Sequence, residues 1–512
     1  MLKVVGASWL QTKISSYVLG VLGILAILAL FFGQIERIKE DGTFTATVFY
    51  SKKTGYSIEY WGQSNELADI QRGVARAYFR MDIDTTGWSI LEIETDGSYP
   101  DEVQAYAAGI VEGALTWYPI HAHLDNTIRS ICEEQEKSCD RLHDALERSV
   151  NSWKAYAAQN QHKDPFWHQV FLYYTQMRGV YTGWKHGVER SMNEYDTDIS
   201  DLYWLNALND VKEYMSKLNI TLEDNELNNL PTLSSAFLKL VDEESEDGKL
   251  IKKLFVAHNA AGSYSSMTRI LKRYKLNYHQ TSSDDALSIP CKSVEFSGYP
   301  GSITSQDEFY TVSGEEHRLA VTGTPLNNYN NKLWKDVNIT ERLPIGPRIT
   351  AANHLATNVS SWGRILASSN SGTASKQWLV ADFNVLNKLT NKPVKIPKIT
   401  KDDVVTEVSI GGIANDPSVN FAAVSGPPYT PKNTTDTPIN RGNLAPIYTD
   451  KFDNEPSING MEIREFVKQY NMEKENVGTP PFHWSDSRFD NVPHDGMPDV
   501  WNFEPFMPKW SW

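Results

Sequence analysis

A hydroxyl, an imidazole and a carboxamide gathered at one end of a β-hairpin form a constellation suited to acyl transfer, and this sequence offers such a set. Ser235–Val241 (SAFLKLV) and Leu250–Val256 (LIKKLFV) alternate or run apolar on either side of an acidic turn containing Asp247-Gly248, a dipeptide favoured in tight hairpin turns. Pairing about that dipeptide sets residues whose numbers sum to roughly 495 opposite one another. Ser234 then faces His258-Asn259-Ala260-Ala261 at the far end of the ladder. Hydroxyl, imidazole and amide within reach of one shared site are chemically suggestive together. The competing reading is that the same residues at a strand end are surface or capping groups.

Other constellations carry less chemistry. His121-Ala-His123 has a metal-like look, but on a helix residues two apart point to different faces, so a partly buried aromatic role is expected. The sequence has no H-E-x-x-H, no G-x-S-x-G elbow and no Walker loop, which removes the common zinc-protease, serine-esterase and nucleotide readings. Neither a metal nor a cofactor is expected. The acidic run Asp242–Asp247 reads as a solvated turn, and the Trp and Phe cluster from Phe482 to Trp512 as core packing by a tail that closes the fold.

The elements that must position Ser234 and His258 fall into three blocks. Thr43–Glu94 is rich in β-branched and aromatic residues, as in TFTATVFY and WSILEIET, and reads as strands. From Pro100 to about Lys217 the apolar residues fall at helical spacing, as in EVQAYAAGIVEGALTWY and FWHQVFLYYTQMRGVYTGW. From Leu233 onward short strands dominate, with helices expected near Ser265–Tyr274, Arg348–Ser368 and Met461–Tyr470, and a loop at Pro427–Pro446. Two sheet-forming blocks around a helical layer suit one α+β body, and 512 residues that are 40% hydrophobic suffice for a large core.

The amino-terminal segment and the modification signals indicate the compartment. Residues 1–13 read as a cytoplasmic leader, and Ile14–Gly33 is a charge-free stretch long enough to span a bilayer. An uncleaved type II anchor is favoured over a signal peptide because the stretch ends Leu30-Phe31-Phe32-Gly33 and not in small residues; a cleaved chain would begin near Gln34. Either way the remainder enters the secretory pathway, in keeping with four glycan sequons at Asn219, Asn338, Asn358 and Asn433. Cys132 and Cys139 are close enough to close a short disulfide loop, with two buried thiols as the alternative; Cys291 has no partner and reads as a small buried hydrophobe. With 49 basic and 64 acidic residues the net charge is −15, which argues against nucleic acid as a partner.

Several long blocks resemble the phospholipase B-like, or lama-like, family. They include RGVARAYFRMDIDTTGWSILEIET (72–95), QAYAAGIVEG (104–113), SSAFLKL (234–240), LFVAHNAAGSYSSMTRILKRY (254–274), YPGSITSQDEFY (299–310), NSGTASKQW (370–378) and PFHWSDSRFDNVPHDGMPDVWNFEP (481–505), in the family's order across nearly all of the chain after the leader. The resemblance implies a four-layer αββα N-terminal-nucleophile hydrolase fold, and a precursor cut once between Leu233 and Ser234. It therefore divides one domain into fragments 34–233 and 234–512, in a glycosylated protein that is lysosomal or secreted.

On that resemblance, cleavage frees an α-amine that acts as base toward its own side chain. The family motif Cys-Ser-Ala falls on Ser234-Ser235-Ala236, so a serine stands where a better nucleophile, a thiol, is usual. His258 and Asn259 match its A-H-N, and Asn370 the asparagine of its N-S-G-T block, where an amide could donate to an oxyanion. The tryptophan that usually follows A-H-N is Ala261 here, and Arg441 matches a charge-stabilising position that could equally be a surface salt bridge. The expected activity is hydrolysis of acyl ester or amide bonds of lipids. The alternative is a pseudoenzyme that binds a lipid or a protein partner.

Overall fold

Near-continuous burial along the central strands shows how the body is organised: β1 (Thr43–Ser51), β3 (Ala75–Asp82) and β4 (Trp88–Thr95) are covered on both faces over most of their length. The computed structural model describes residues 16–25, 43–62, 70–133, 135–220, 234–244, 250–260, 263–326, 343–384, 482–485, 490–501, 503, 506 and 508–511. Residues 16–25 form an exposed helix in a unit of their own. Among the described residues no helix is long and apolar enough to cross a membrane; of the expected bilayer span, residues 14, 15 and 26–33 lie outside them.

The main body is a nine-stranded mixed sheet in the order β11-β10-β9-β8-β7-β4-β3-β1-β2. Its remaining members are β2 (Gly55–Gly62), β7 (Ile270–Lys275), β8 (Cys291–Gly298), β9 (Phe309–Gly314), β10 (Arg318–Pro325) and β11 (Lys376–Asp382). Strands β1–β4 precede position 233 and β7–β11 follow it. The two sets meet in the parallel ladder of β4 with β7, from Ser89 opposite Ile270 to Glu94 opposite Lys275.

One face of the sheet carries helices, as the apolar spacing of Pro100–Lys217 predicts. They are α1 (Asp101–Leu115), α2 (Trp117–Leu124), α3 (Glu136–Asn160), α4 (Pro165–Ser191), α5 (Ile199–Asn206) and α6 (Leu208–Leu218), followed later by α7 (Ile345–Leu355) and α8 (Val359–Ala367). The last two match the helical expectation for Arg348–Ser368. Helices α1 and α4 touch backbone to backbone: a Cβ at Gly113 would meet the Val180 carbonyl oxygen at 2.0 Å, and one at Gly183 the Ile110 carbonyl oxygen at 2.0 Å. Cys132 and Cys139 form a disulfide, S–S 1.99 Å, at the start of α3. Cys291 is buried, and burial pushes its thiol up to about 12, in keeping with an inert apolar role.

The sheet's other face carries a separate hairpin of β5 (Ser234–Glu244) and β6 (Leu250–Ala260). Leu254, with Leu238 and Val256, packs on Ala381 and Phe383, and Ala381 points away from the helical core that takes its neighbour Val380. The described layers are thus helices, sheet and hairpin. The second helical layer of an αββα body has no counterpart among the described residues, and the expected helix at Met461–Tyr470 and loop at Pro427–Pro446 lie outside them. The carboxy-terminal aromatics close the fold as expected: Trp484, Trp501 and Phe503 are buried with Ile83, and Trp510 lies over Arg273 at 5.8 Å.

The helix expected at Ser265–Tyr274 is absent. A single 3-10 turn at Tyr264–Ser266 leads into β7, where Ile270, Leu271, Lys272 and Tyr274 are all buried. The charges at Arg269 and Arg273 mimic helical i,i+4 spacing, but burial on both faces and pairing with β4 and β8 override local preference.

Because each side of position 233 supplies half of one sheet, a chain opened by an engineered protease site within 223–230 should elute as a single species in gel filtration and separate only on denaturation without reductant. Two species under native conditions would contradict the shared sheet. Gly183→Val should lower stability by about 3 kcal/mol in chemical unfolding, through overpacking of α1 on α4.

Candidate active site at the open end of the hairpin

The β5–β6 ladder pairs Ser234 with Ala260, Ser235 with Asn259 and Ala236 with His258. The register read from the Asp-Gly turn is therefore correct to within one residue. Alternation places Ser234 and His258 on one face as diagonal neighbours and Asn259 on the other, where it is exposed. A two-stranded hairpin is marginal alone, and its site end is tied to the sheet through one backbone atom: the Gly323 carbonyl oxygen accepts from Ser234 Oγ at 3.1 Å and from His258 Nε2 at 2.9 Å. That bond requires the His258 proton on Nε2.

Gly323 is held from below. Its N–H donates to the Glu308 carbonyl at 3.0 Å. A Cβ here would meet the Trp378 ring at 2.8 Å and Glu308 Cβ at 3.1 Å, so glycine lets an indole lie across the strand beside the hairpin. Trp378 packs edge-on against Trp362 at 5.4 Å.

Beneath this floor sits a buried charge cluster. Lys376 is ion-paired with Glu308, the two side chains being 4% and 5% exposed. Glu308 holds a left-handed backbone, φ 65°, a conformation costly for a residue with a Cβ and sustained here by its surroundings. Burial lowers Lys376 to about 8 against the pull of Asp210 and Glu213. Burial first, and Asp210 second, push Glu213 up to about 7. Asp210 is raised by burial even though it accepts hydrogen bonds from Thr373 and the Ile345 N–H.

His258 is lowered chiefly by burial and further by Lys376 and Arg269, against the Gly323 hydrogen bond and Asp307. A neutral ring is therefore the resting state near pH 7. Arg269 pairs with Asp307 between the rings of Trp88 (4.9 Å) and Tyr299 (4.7 Å). His123 stacks on Tyr299 at 5.3 Å and is depressed to about 3 by burial: it packs as an aromatic, but fully buried where a partly buried ring was expected. Among the described residues no cluster of His, Cys, Asp or Glu is arranged to hold a metal.

The remaining predicted residues divide. Asn370 is exposed and its Oδ1 accepts from the Gly372 N–H at 3.0 Å; among the described residues no hydrogen bond joins it to Ser234 or His258. Leu233, Ala261, Arg441, Asn338 and Asn433 lie outside the described residues. Of the sequons, Asn219 is exposed at the left-handed end of α6, and Asn358 is exposed at the start of α8. Asn358 caps that helix through Oδ1, which accepts from the Ser361 N–H at 2.9 Å; the amide nitrogen that a glycan would occupy is not the capping atom. Lys376, Glu308, Gly323 and Trp378 were not picked out in sequence, although Lys376, Trp378 and Glu308 stand inside family-like blocks. No short-range spacing links Lys376 to Glu308.

The model of the Phospholipase B family matches residues 75–409. The chain belongs to the phospholipase B-like family. A Drosophila melanogaster relative named for phospholipase B-like lamina ancestor is 38% identical over 413 residues, 76% of this chain and 61% of the relative. Phospholipase B-like 2 of Homo sapiens is 32% identical over 313 residues, 60% of this chain and 51% of that protein. Phospholipase B-like 3 of Caenorhabditis elegans is 32% identical over 323 residues, 62% and 52%. Each of those names marks its activity as unproven, and the chain spans between about half and three-fifths of these relatives' lengths.

In this phospholipase B-like chain Lys376→Met should cost about 3–5 kcal/mol in denaturant unfolding, because it strands the buried Glu308 carboxylate, and adding Glu308→Gln should recover part of the loss. Glu213 has a folded value near 7 against 4.5 unfolded. The folded state thus binds the extra proton between these values, and the Glu213 contribution is present below about 4.5 and lost as pH rises through 7. Glu213→Gln should flatten the dependence of stability on pH between about 4.5 and about 7; an unchanged slope would rule out this titration.

Proposed function

We propose that this chain is an N-terminal-nucleophile hydrolase that cleaves acyl ester or amide bonds of lipids, after a single cut between Leu233 and Ser234. The observation that carries the reading is Ser234 itself, the first residue of β5, whose hydroxyl is oriented with His258 on the Gly323 carbonyl. Family membership supports a hydrolase and a lipid substrate at the coarse level. The full αββα fold, with one more helical layer, belongs to the same proposal.

In the uncut chain the Ser234 nitrogen is an amide and cannot serve as a base. Attack of Oγ on the Leu233 carbonyl would break the Leu233–Ser234 C–N bond, the Oγ proton passing to the departing nitrogen, and give an ester with a free Ser234 amine; water would then cleave that ester, releasing the Leu233 carboxylate and restoring the hydroxyl. In the catalytic cycle that amine takes the Oγ proton as Oγ adds to the substrate acyl carbon. The tetrahedral oxyanion collapses, the ammonium returns the proton to the departing alcohol or amine, and water repeats the sequence on the acyl-enzyme. His258, neutral and fixed through Nε2, shapes the site and does not act as the base. Asn370 would need to approach to serve the oxyanion. A luminal, glycosylated setting is supported by the Cys132–Cys139 disulfide and the exposed Asn219 and Asn358.

A non-catalytic, ligand-binding reading draws on the same geometry, since both Ser234 and His258 are already committed to Gly323. Secretory expression followed by mass spectrometry of all amino termini separates the two. A fragment beginning at Ser234, absent in Ser234→Ala, is expected, with activity on acyl esters or amides falling by about a hundredfold or more in that variant. A chain that stays whole after incubation at acidic pH would overturn the hydrolase reading.

A further inference from the structure

A concave feature lies at the edge of the sheet away from Ser234. Gly298, Glu308, Gly323 and Trp378 are aligned by the ladders with the β7 end at Ile270, whereas a cavity of about 410 Å³ opens past the other end of β7. Five residue steps along β7 separate the two edges by about 17 Å, so the cavity is not part of the hairpin site. Its volume lies in the range of small-molecule sites. One wall comes from the start of β3 and the end of β4, with Arg72, Arg76, Glu94 and Asp96; the other comes from the end of β7 and the start of β8, with His279 and Lys292.

The two carboxylates are already engaged. Glu94 accepts Nε–H and Nη2–H of the buried Arg76 at 3.0 and 2.7 Å, and Asp96 accepts the Ser98 N–H at 2.9 Å. Arg72 has no ion-pair partner among the described residues. Among the described residues Lys292 pairs with Glu315 at 3.3 Å, with side chains 52% and 79% exposed, a pairing too solvated to hold it. His279 is fixed through Nδ1 on Asp101 at 2.9 Å, which leaves Nε2 as its other polar atom. Arg72, Arg76 and Lys292 line the cavity against two carboxylates, Glu94 and Asp96, and with a ring nitrogen able to accept from a P–OH they leave an excess of positive charge in a chain of net charge −15.

We propose that this cavity binds a phosphate group, clasped between Arg72 and Lys292. The group could arrive as free phosphate or on a lipid-derived headgroup, and the site is independent of the proposed hydrolysis. The test is calorimetric titration of the full glycoprotein at low ionic strength with inorganic phosphate and, separately, with glycerophosphocholine. Saturable binding of phosphate, weakened about tenfold or more by Arg72→Ala or Lys292→Ala and unchanged in Ser234→Ala, is expected. Because Arg72 and Lys292 are exposed, both variants should keep the wild-type melting temperature. Binding of glycerophosphocholine alone, with the same dependence on Arg72 and Lys292, would support the site and assign its source to the headgroup. No saturable binding of either compound, or equal affinity in the double variant, would overturn the proposal.

Discussion

The parallel ladder of β4 and β7 is the contact on which the rest of the molecule depends. It is the sole junction within the described sheet between strands from the two sides of position 233. Directly behind it Lys272 donates to Glu112 at 2.6 Å and to the Ser302 carbonyl at 2.7 Å, while the Tyr274 hydroxyl donates to the other Glu112 oxygen at 2.7 Å. Taking Lys272 and Glu112 out of water is expensive, and only this full set of partners makes it tolerable. The cluster ties α1 to β7, so the helical layer and the junction share one set of contacts.

Around the candidate site the molecule departs from local rules in a concentrated way. Three of the five non-glycine residues with positive φ among the described residues, Glu308, Ser369 and Ala374, lie in the two segments that carry the floor under Gly323. The same floor holds a lysine and three carboxylates away from water. Such strain and desolvation are costly unless the surroundings over-determine them, and they gather where geometry matters more than stability. In physical terms the floor is a rigid mount: it fixes one carbonyl, and that carbonyl sets the orientation of a hydroxyl and an imidazole.

What the sequence discloses follows the range of the interaction. The hairpin register was legible because an Asp-Gly turn and a two-residue period are local, and the helical block and the disulfide were legible for the same reason. β7 was not, since ILKRYK carries charges at helical spacing and only its burial between β4 and β8 makes it a strand. Nor was Lys376 with Glu308, because a buried ion pair between residues so far apart in the chain leaves no local mark. Ser234 stood out by resemblance; the carbonyl that orients it became visible only in three dimensions.

The junction also imposes an order of events. Glu94 and Lys275, partners in the ladder, are 275 − 94 = 181 positions apart. In one continuous chain, closing that loop costs an entropy that grows only slowly with its length. Two pieces severed beforehand would instead have to meet by diffusion, at a probability set by concentration. A break before Ser234 is harmless to the architecture once β4 and β7 have joined, and ruinous before. Any processing at that bond would therefore have to follow assembly, the intact peptide holding the two halves of the sheet together until then.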